Sequence, residues 1–170
     1  MIALFKRRPI LLWKPRINEQ IVPLDQRKEF PALEDDFKIL DEQLMDNFRR
    51  MDNEALMAQN QFRLQQIILI VGAVMTSSLG AIQAAMPETA RWPGLIEAVI
   101  AAMLTAVAFI AKRTEPQKKY FSNRLKAETL RGEYFLFLGH LGAYKDDASR
   151  VHKLIQRVAE IESEGKVSNT

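Results

Sequence analysis

Leu64-Gln-Gln-Ile-Ile-Leu-Ile-Val-Gly-Ala-Val-Met-Thr-Ser-Ser-Leu-Gly-Ala-Ile-Gln-Ala-Ala-Met-Pro87 contains no Asp, Glu, Lys or Arg. A second stretch, Trp92 to Ala111, carries Glu97 as its only charge. Charged residues make up 26% of the chain, so their exclusion from these two blocks is not a matter of composition. A soluble domain intersperses charges among its apolar positions, and continuous uncharged blocks argue for another solvent. About 20 helical residues cross a bilayer core of about 30 Å. Residues 64–86 and 94–111 are therefore predicted as two transmembrane helices. Residues 87–93 are the external turn, where Trp92 suits an interface and Pro93 suits a helix start. A buried hairpin in a soluble protein is the rival, but no other apolar material is available to cover both helices on all sides.

Basic residues set the orientation. Arg49, Arg50 and Arg63 precede the first span, and Lys112, Arg113, Lys118 and Lys119 follow the second, whereas the turn has Arg91 alone. Cytoplasmic flanks are enriched in Lys and Arg, which places both termini inside, in a multi-pass protein of the inner membrane. Met1 to Phe5 is too short for a signal-peptide core, so the first span is expected to direct insertion.

Outside the spans the pattern is helical. Pro9, Pro15, Pro23 and Pro31 allow no long helix in residues 1–31, an irregular arm. There Lys6, Arg7, Arg8 and Trp13 read either as a membrane-surface anchor or as an arm packed on neighbouring helices. In residues 32–63 Phe37, Leu40, Leu44, Phe48, Met51, Ala55, Ala58 and Phe62 recur every three or four residues, one apolar stripe of an amphipathic helix. With Glu34, Asp35 and Asp36 at its start, favoured by the dipole, this helix is expected to enter the first span with little or no break. Residues 112–162 are predicted as further cytoplasmic helices. One runs from Lys118 to about Leu141, with Tyr120, Ala127, Tyr134 and Leu141 on a stripe widened by Phe121, Leu125 and Leu138. Another carries Val151, Leu154, Ile155, Val158 and Ile161. Residues 163–170 read as a tail. The fold class is an all-α integral membrane protein, a two-helix transmembrane hairpin extended into a cytoplasmic helical bundle.

Catalytic signatures are missing. There is no cysteine, phosphate-binding glycine loop or metalloprotease motif, and His140 and His152 are lone histidines on helices. No enzyme, metal or cofactor is expected, and a net charge of +3 does not point to nucleic acid. The spans carry the site candidates. Gly72, Thr76, Gly80 and Ala84 repeat every four residues, as do Ala98, Ala102 and Ala106. Small residues at that spacing let helices approach closely, within a hairpin or between copies. Thr76 and Gln83 share a face with Gly80 that suits either a pore lining or back-bonding of the threonine to its own helix. Glu97, in the first turn of the second span, reads as a helix-start carboxylate or, in a ring of copies, as a charge at the outer mouth.

The stretch Tyr120 to Tyr144 resembles the SLATT-type (SMODS and SLOG-associating) two-transmembrane effector domains of bacteria, which overlap a bacterial family of unassigned function. The shared features are Arg124, Ala127-Glu128, Leu130-Arg131, Glu133 with its aromatic follower and Tyr144, with a hairpin just upstream. The resemblance covers roughly residues 35–145. It implies a membrane effector of a defence system that forms pores, without catalytic residues, and that answers to nucleotide signalling. No sensor domain accompanies the helices in these residues, so a separate nucleotide-sensing or signalling partner is expected. The residues themselves read as a charge ladder, Arg124, Glu128 and Arg131, flanked by Tyr120, Glu133 and Tyr144, that is expected to be partly buried and to guide cytoplasmic assembly. Two spans cannot enclose an aqueous path, so a homo-oligomeric, pore-forming or ion-conducting effector in the lipid bilayer is the leading expectation. A non-conducting scaffold that recruits a soluble partner is the alternative.

Overall fold

A computed structural model describes residues 20–86 and 92–164, and all regular elements among them are helical. The arm residues Lys6, Arg7, Arg8 and Trp13, most of the turn 87–93 and the end of the tail lie outside the described residues. The helices are α1 (Leu24–Arg27), α2 (Glu34–Gln43), α3 (Met45–Ala85), α4 (Trp92–Thr114), α5 (Pro116–Leu138) and α6 (Arg150–Ser163). The chain divides into two compact units: a hairpin unit that includes residues 58–118, and a bundle unit with residues 20–57 and 119–164.

In the bundle unit the expected stripe is the core face. Phe37, Leu40, Leu44, Phe48 and Met51 are buried with Ala127, Leu130, Tyr134 and Phe137 of α5 and Leu154, Val158 and Ile161 of α6. One expectation needs correcting. The helix does not run unbroken from residue 32, because Leu44 (φ −121°) separates α2 from α3. Hydrogen bonds from Leu44 to Leu40 and from Phe48 to Leu44 carry the ladder across the bend. Neighbours on a straight helix point about 100° apart. The bend brings both Leu44 and Met45 fully into the core.

The α5 stripe is also corrected. Phe121, Leu125 and Leu141 are more than half exposed, while Leu130 and Phe137 are buried instead. Ala127 and Tyr134 of that stripe are buried as expected, whereas Phe121 and Leu125, six and two residues before Ala127, point about 120° and 160° away from it. Leu141 lies past the helix end. There the Leu141 N–H donates to the Leu136 carbonyl and the His140 N–H to the Phe137 carbonyl, a Schellman closure. Its left-handed residue is His140 (φ 50°) and not the adjacent Gly139. In α6, Leu154, Val158 and Ile161 are buried as expected, and Ile155 is exposed.

The hairpin unit consists of the second part of α3 and α4. Beyond the bend at Leu44, α3 enters the apolar block without interruption, continuous from Met45 to Ala85. Glu115 (φ 41°) ends α4, because the residue before a proline is kept out of the helical region, and Pro116 opens α5. On α4 the partly covered positions Gly94, Glu97, Ile100, Leu104, Val107 and Ala111 recur every three or four residues and mark one inward face. The other faces are open: Ile70, Val74, Leu95, Met103 and Phe109 are each more than half exposed. Both helices are long and apolar enough to cross a membrane, and 6% and 0% of their most apolar windows are buried within the chain.

Candidate functional site

Gly72 and Leu104 set how closely α3 and α4 approach. A β-carbon on Gly72 would overlap the two methyl groups of Leu104, one of them at 2.9 Å. Further along, Gly80 faces the carboxylate of Glu97 at 3.9 Å, and Gly94 faces the amide of Gln83 at 3.2 Å, both measured from the position a β-carbon would take. Thr76 lies on the same side of α3 and donates its hydroxyl back to the Gly72 carbonyl at 2.7 Å. The candidates Gly72, Gly80, Gln83 and Glu97 thus meet across the seam of one hairpin. Ala98, Ala102 and Ala106 lie outside this seam and are exposed.

The bundle holds the assembly motif. Arg124 and Arg131 both reach Glu128, Arg131 at 3.3 Å. The side chains of Arg124, Arg131 and Glu128 are 39%, 37% and 42% exposed. Ion pairs this open contribute about 0.2–1 kcal/mol. Two contacts tie the ladder to α3. Arg124 donates to Asp52 at 2.6 Å, a carboxylate only 8% exposed, and the Arg131 guanidinium sits 5.4 Å from the centre of the Phe48 ring. Glu133 and Tyr144 come together directly, with the tyrosine hydroxyl donating at 2.7 Å. Arg157 of α6 donates to the other oxygen of Glu133 at 3.1 Å and to Glu160 at 3.0 Å, and these bonds hold its guanidinium above the ordinary arginine range. Burial pushes the Tyr144 hydroxyl up, and the Glu133 carboxylate adds to it. These groups line a half-open cleft of about 320 Å³ with Lys153 and Gln156. Tyr120 is partly exposed and packs beside Phe121, with ring centres 5.2 Å apart and planes tilted by 53°.

Several partners escaped sequence reasoning. Asp36, 6% exposed, accepts from Arg150 at 2.7 Å and lies 3.2 Å from His140. His140 is thus a bundle residue on a carboxylate that the sequence suggested only as a helix-start charge. Asp52 showed itself only as a charge within the apolar periodicity of α3, beside Met51. On the open side of α3, Ala73, Val74, Ser77, Ser78 and Ala81 form a shallow groove of about 430 Å³. Among the described residues no group of three or more histidine or carboxylate side chains is placed to hold a metal ion.

The family model described as "Protein of unknown function (DUF4231)" matches residues 46–152, well over half of the chain. The match takes in both apolar helices and the whole Tyr120–Tyr144 stretch, and it stops before the core positions Leu154, Val158 and Ile161 of α6. No curated protein and no solved structure matches the chain.

Proposed function

We infer a function for a chain that belongs to the DUF4231 family: a homo-oligomeric membrane effector that forms a pore or conducts ions. The observation that carries this is that only 6% and 0% of the most apolar windows of two long helices are buried within the chain. Water would penalise that surface by about 25 cal/mol per Å², whereas lipid or another copy accepts it. The hairpin closes its glycine face on itself and encloses no path, so conduction requires several copies, with closed rings the usual solution. The resemblance of Tyr120–Tyr144 to SLATT-type effectors supports a role in bacterial defence, with a separate nucleotide-sensing or signalling protein as the trigger. The basic flanks support an inner-membrane location with both termini cytoplasmic.

The test is ion flux through liposomes that contain the purified chain, with subunit number counted in nanodiscs. Flux from a multi-subunit species is expected. Ion-tight vesicles with verified insertion, or a monomer at every concentration, would sink the reading. For orientation, a cysteine replacing Thr89 should react with an impermeant thiol reagent in intact cells, and one replacing Ser149 only after lysis. The opposite pattern reverses the topology.

A second reading has its own observation. Phe121, Leu125, Phe135 and Leu136 leave apolar side chains exposed along α5. A non-conducting scaffold that recruits a soluble partner would use such a surface. Inserted, ion-tight protein that still captures a partner through α5 favours the scaffold.

A further inference from the structure

We propose that the open end of the hairpin binds anionic phospholipid headgroups through Arg63, Lys112 and Arg113, an inference that rests on the membrane reading above. Nine arginines lie among the described residues. Seven of them pair with carboxylates: Arg27 with Asp41, Arg49 with Asp46, Arg50 with Glu162, Arg124 and Arg131 with Glu128, Arg150 with Asp36, and Arg157 with Glu133. The two without a carboxylate among the described residues are Arg63 and Arg113.

These two lie at one level. Gly72 faces Leu104, and the helices run antiparallel. Arg63 is nine residues before Gly72 and Arg113 nine after Leu104, so both reach the same end of the hairpin. Lys112 adjoins them, also without a carboxylate among the described residues. The nearby acid, Glu115, is occupied by Lys118 at 2.9 Å. The Arg113 guanidinium sits 4.8 Å from the centre of the Phe109 ring, itself 57% exposed, so the charge is held against the outward surface. The helix dipole accounts for Lys112 and Arg113 in the last turn of α4. It does not account for Arg63, which is far from either end of α3.

Three cations at the boundary of an apolar surface match the phosphate level of a bilayer. A guanidinium offers a phosphate two parallel N–H donors, and each cation near an anionic leaflet strengthens attraction. The occupant is thus an anionic lipid headgroup, fixed at the depth where α3 and α4 leave the hydrocarbon.

The full chain in detergent would be titrated with phosphatidylglycerol and, separately, phosphatidylcholine, and bound lipids counted by native mass spectrometry. A preference of about tenfold or more for phosphatidylglycerol is expected, weakening as salt rises from about 0.1 to 0.5 M. Arg63→Gln and Arg113→Gln should each lower it about fivefold. The double lysine variant should keep part of it, and Lys38→Gln in the bundle should not change it. Equal binding of the two lipids, or an unchanged preference in the double glutamine variant, overturns the proposal. So does loss of subunits without any lipid preference, which would assign the cations to another copy. Release of the protein from membranes by alkaline carbonate would instead refute insertion itself, and the two failures are read separately.

Discussion

Tyr144 donates its hydroxyl to Glu133 at 2.7 Å, linking the turn after α5 to the C-terminal part of that helix. The phenol is 2% exposed and the carboxylate also holds Arg157, so one acid satisfies groups from the turn and from α6. Removing the hydroxyl leaves Glu133 with one buried donor fewer. Tyr144→Phe should lower stability by about 1.5–3 kcal/mol at neutral pH, the range for hydrogen bonds to charged groups.

The same bond gives a pH dependence. Burial raises Tyr144, and Tyr134 likewise, above the usual tyrosine value. A raised folded-state value means that the contribution is whole below the unfolded value of about 10 and is lost as pH climbs from there through the folded value. Thermal melts followed by circular dichroism should show the wild type losing stability above about pH 10. Tyr144→Phe should lose less over the same interval, and parallel curves for the two proteins would count against this account.

Gly72 and Leu104 test the hairpin seam. Gly72→Ala meets the flexible end of a leucine, so Leu104 yields and the effect is small. Gly72→Phe cannot be absorbed that way and should cost about 1–3 kcal/mol, as overpacking does. Leu104→Ala in the same chain should recover much of the loss, measured by resistance to unfolding in detergent. A seam that packs between copies instead would show no such rescue.

Asp52 and Glu128 separate the buried from the solvated part of the ladder. Glu128→Ala removes pairs that are more than a third exposed and should change stability by about 0.2–1 kcal/mol. Asp52→Ala removes a carboxylate 8% exposed that anchors Arg124, and should cost about 1.5–3 kcal/mol. Denaturant melts of the two variants give the comparison. A larger effect for Glu128 would point to a partner that buries the ladder.

Asp36 and Arg150 form the most enclosed ion pair among the described residues, 6% and 15% exposed. Asp36→Ala leaves Arg150 only the open carboxylate of Asp147, 3.4 Å away, and the loss should reach about 1.5–3 kcal/mol. Asp36→Leu combined with Arg150→Met should be far milder, because removing both charges leaves nothing uncompensated. If the double variant is as unstable as the single one, the pair is not the cause.

Much of this architecture could be read from the order of residues. One uncharged block, a second with Glu97 alone, and the three- and four-residue recurrence from Phe37 to Ala58 report local properties, since a helix places its own residues on faces whatever surrounds it. Glu133 and Tyr144 could be singled out as parts of a motif, but not as partners. Their bond exists because the chain turns at His140, a left-handed position that sequence rules would have assigned to Gly139.

Contacts between distant segments were decided by tertiary structure alone. Phe121 and Leu125 are as apolar as Leu130 and Phe137, and only the positions of α3 and α6 make the second pair core and the first pair surface. Gly72 permits close approach to any helix, and Leu104 identifies that helix as the one in the same chain. Asp36 and Asp52 read as ordinary helix charges until Arg150 and Arg124 close on them from well over sixty residues away. Periodicity determines which side of a helix can be buried. What buries it depends on the faces of other elements, and those meet only when the whole chain has packed.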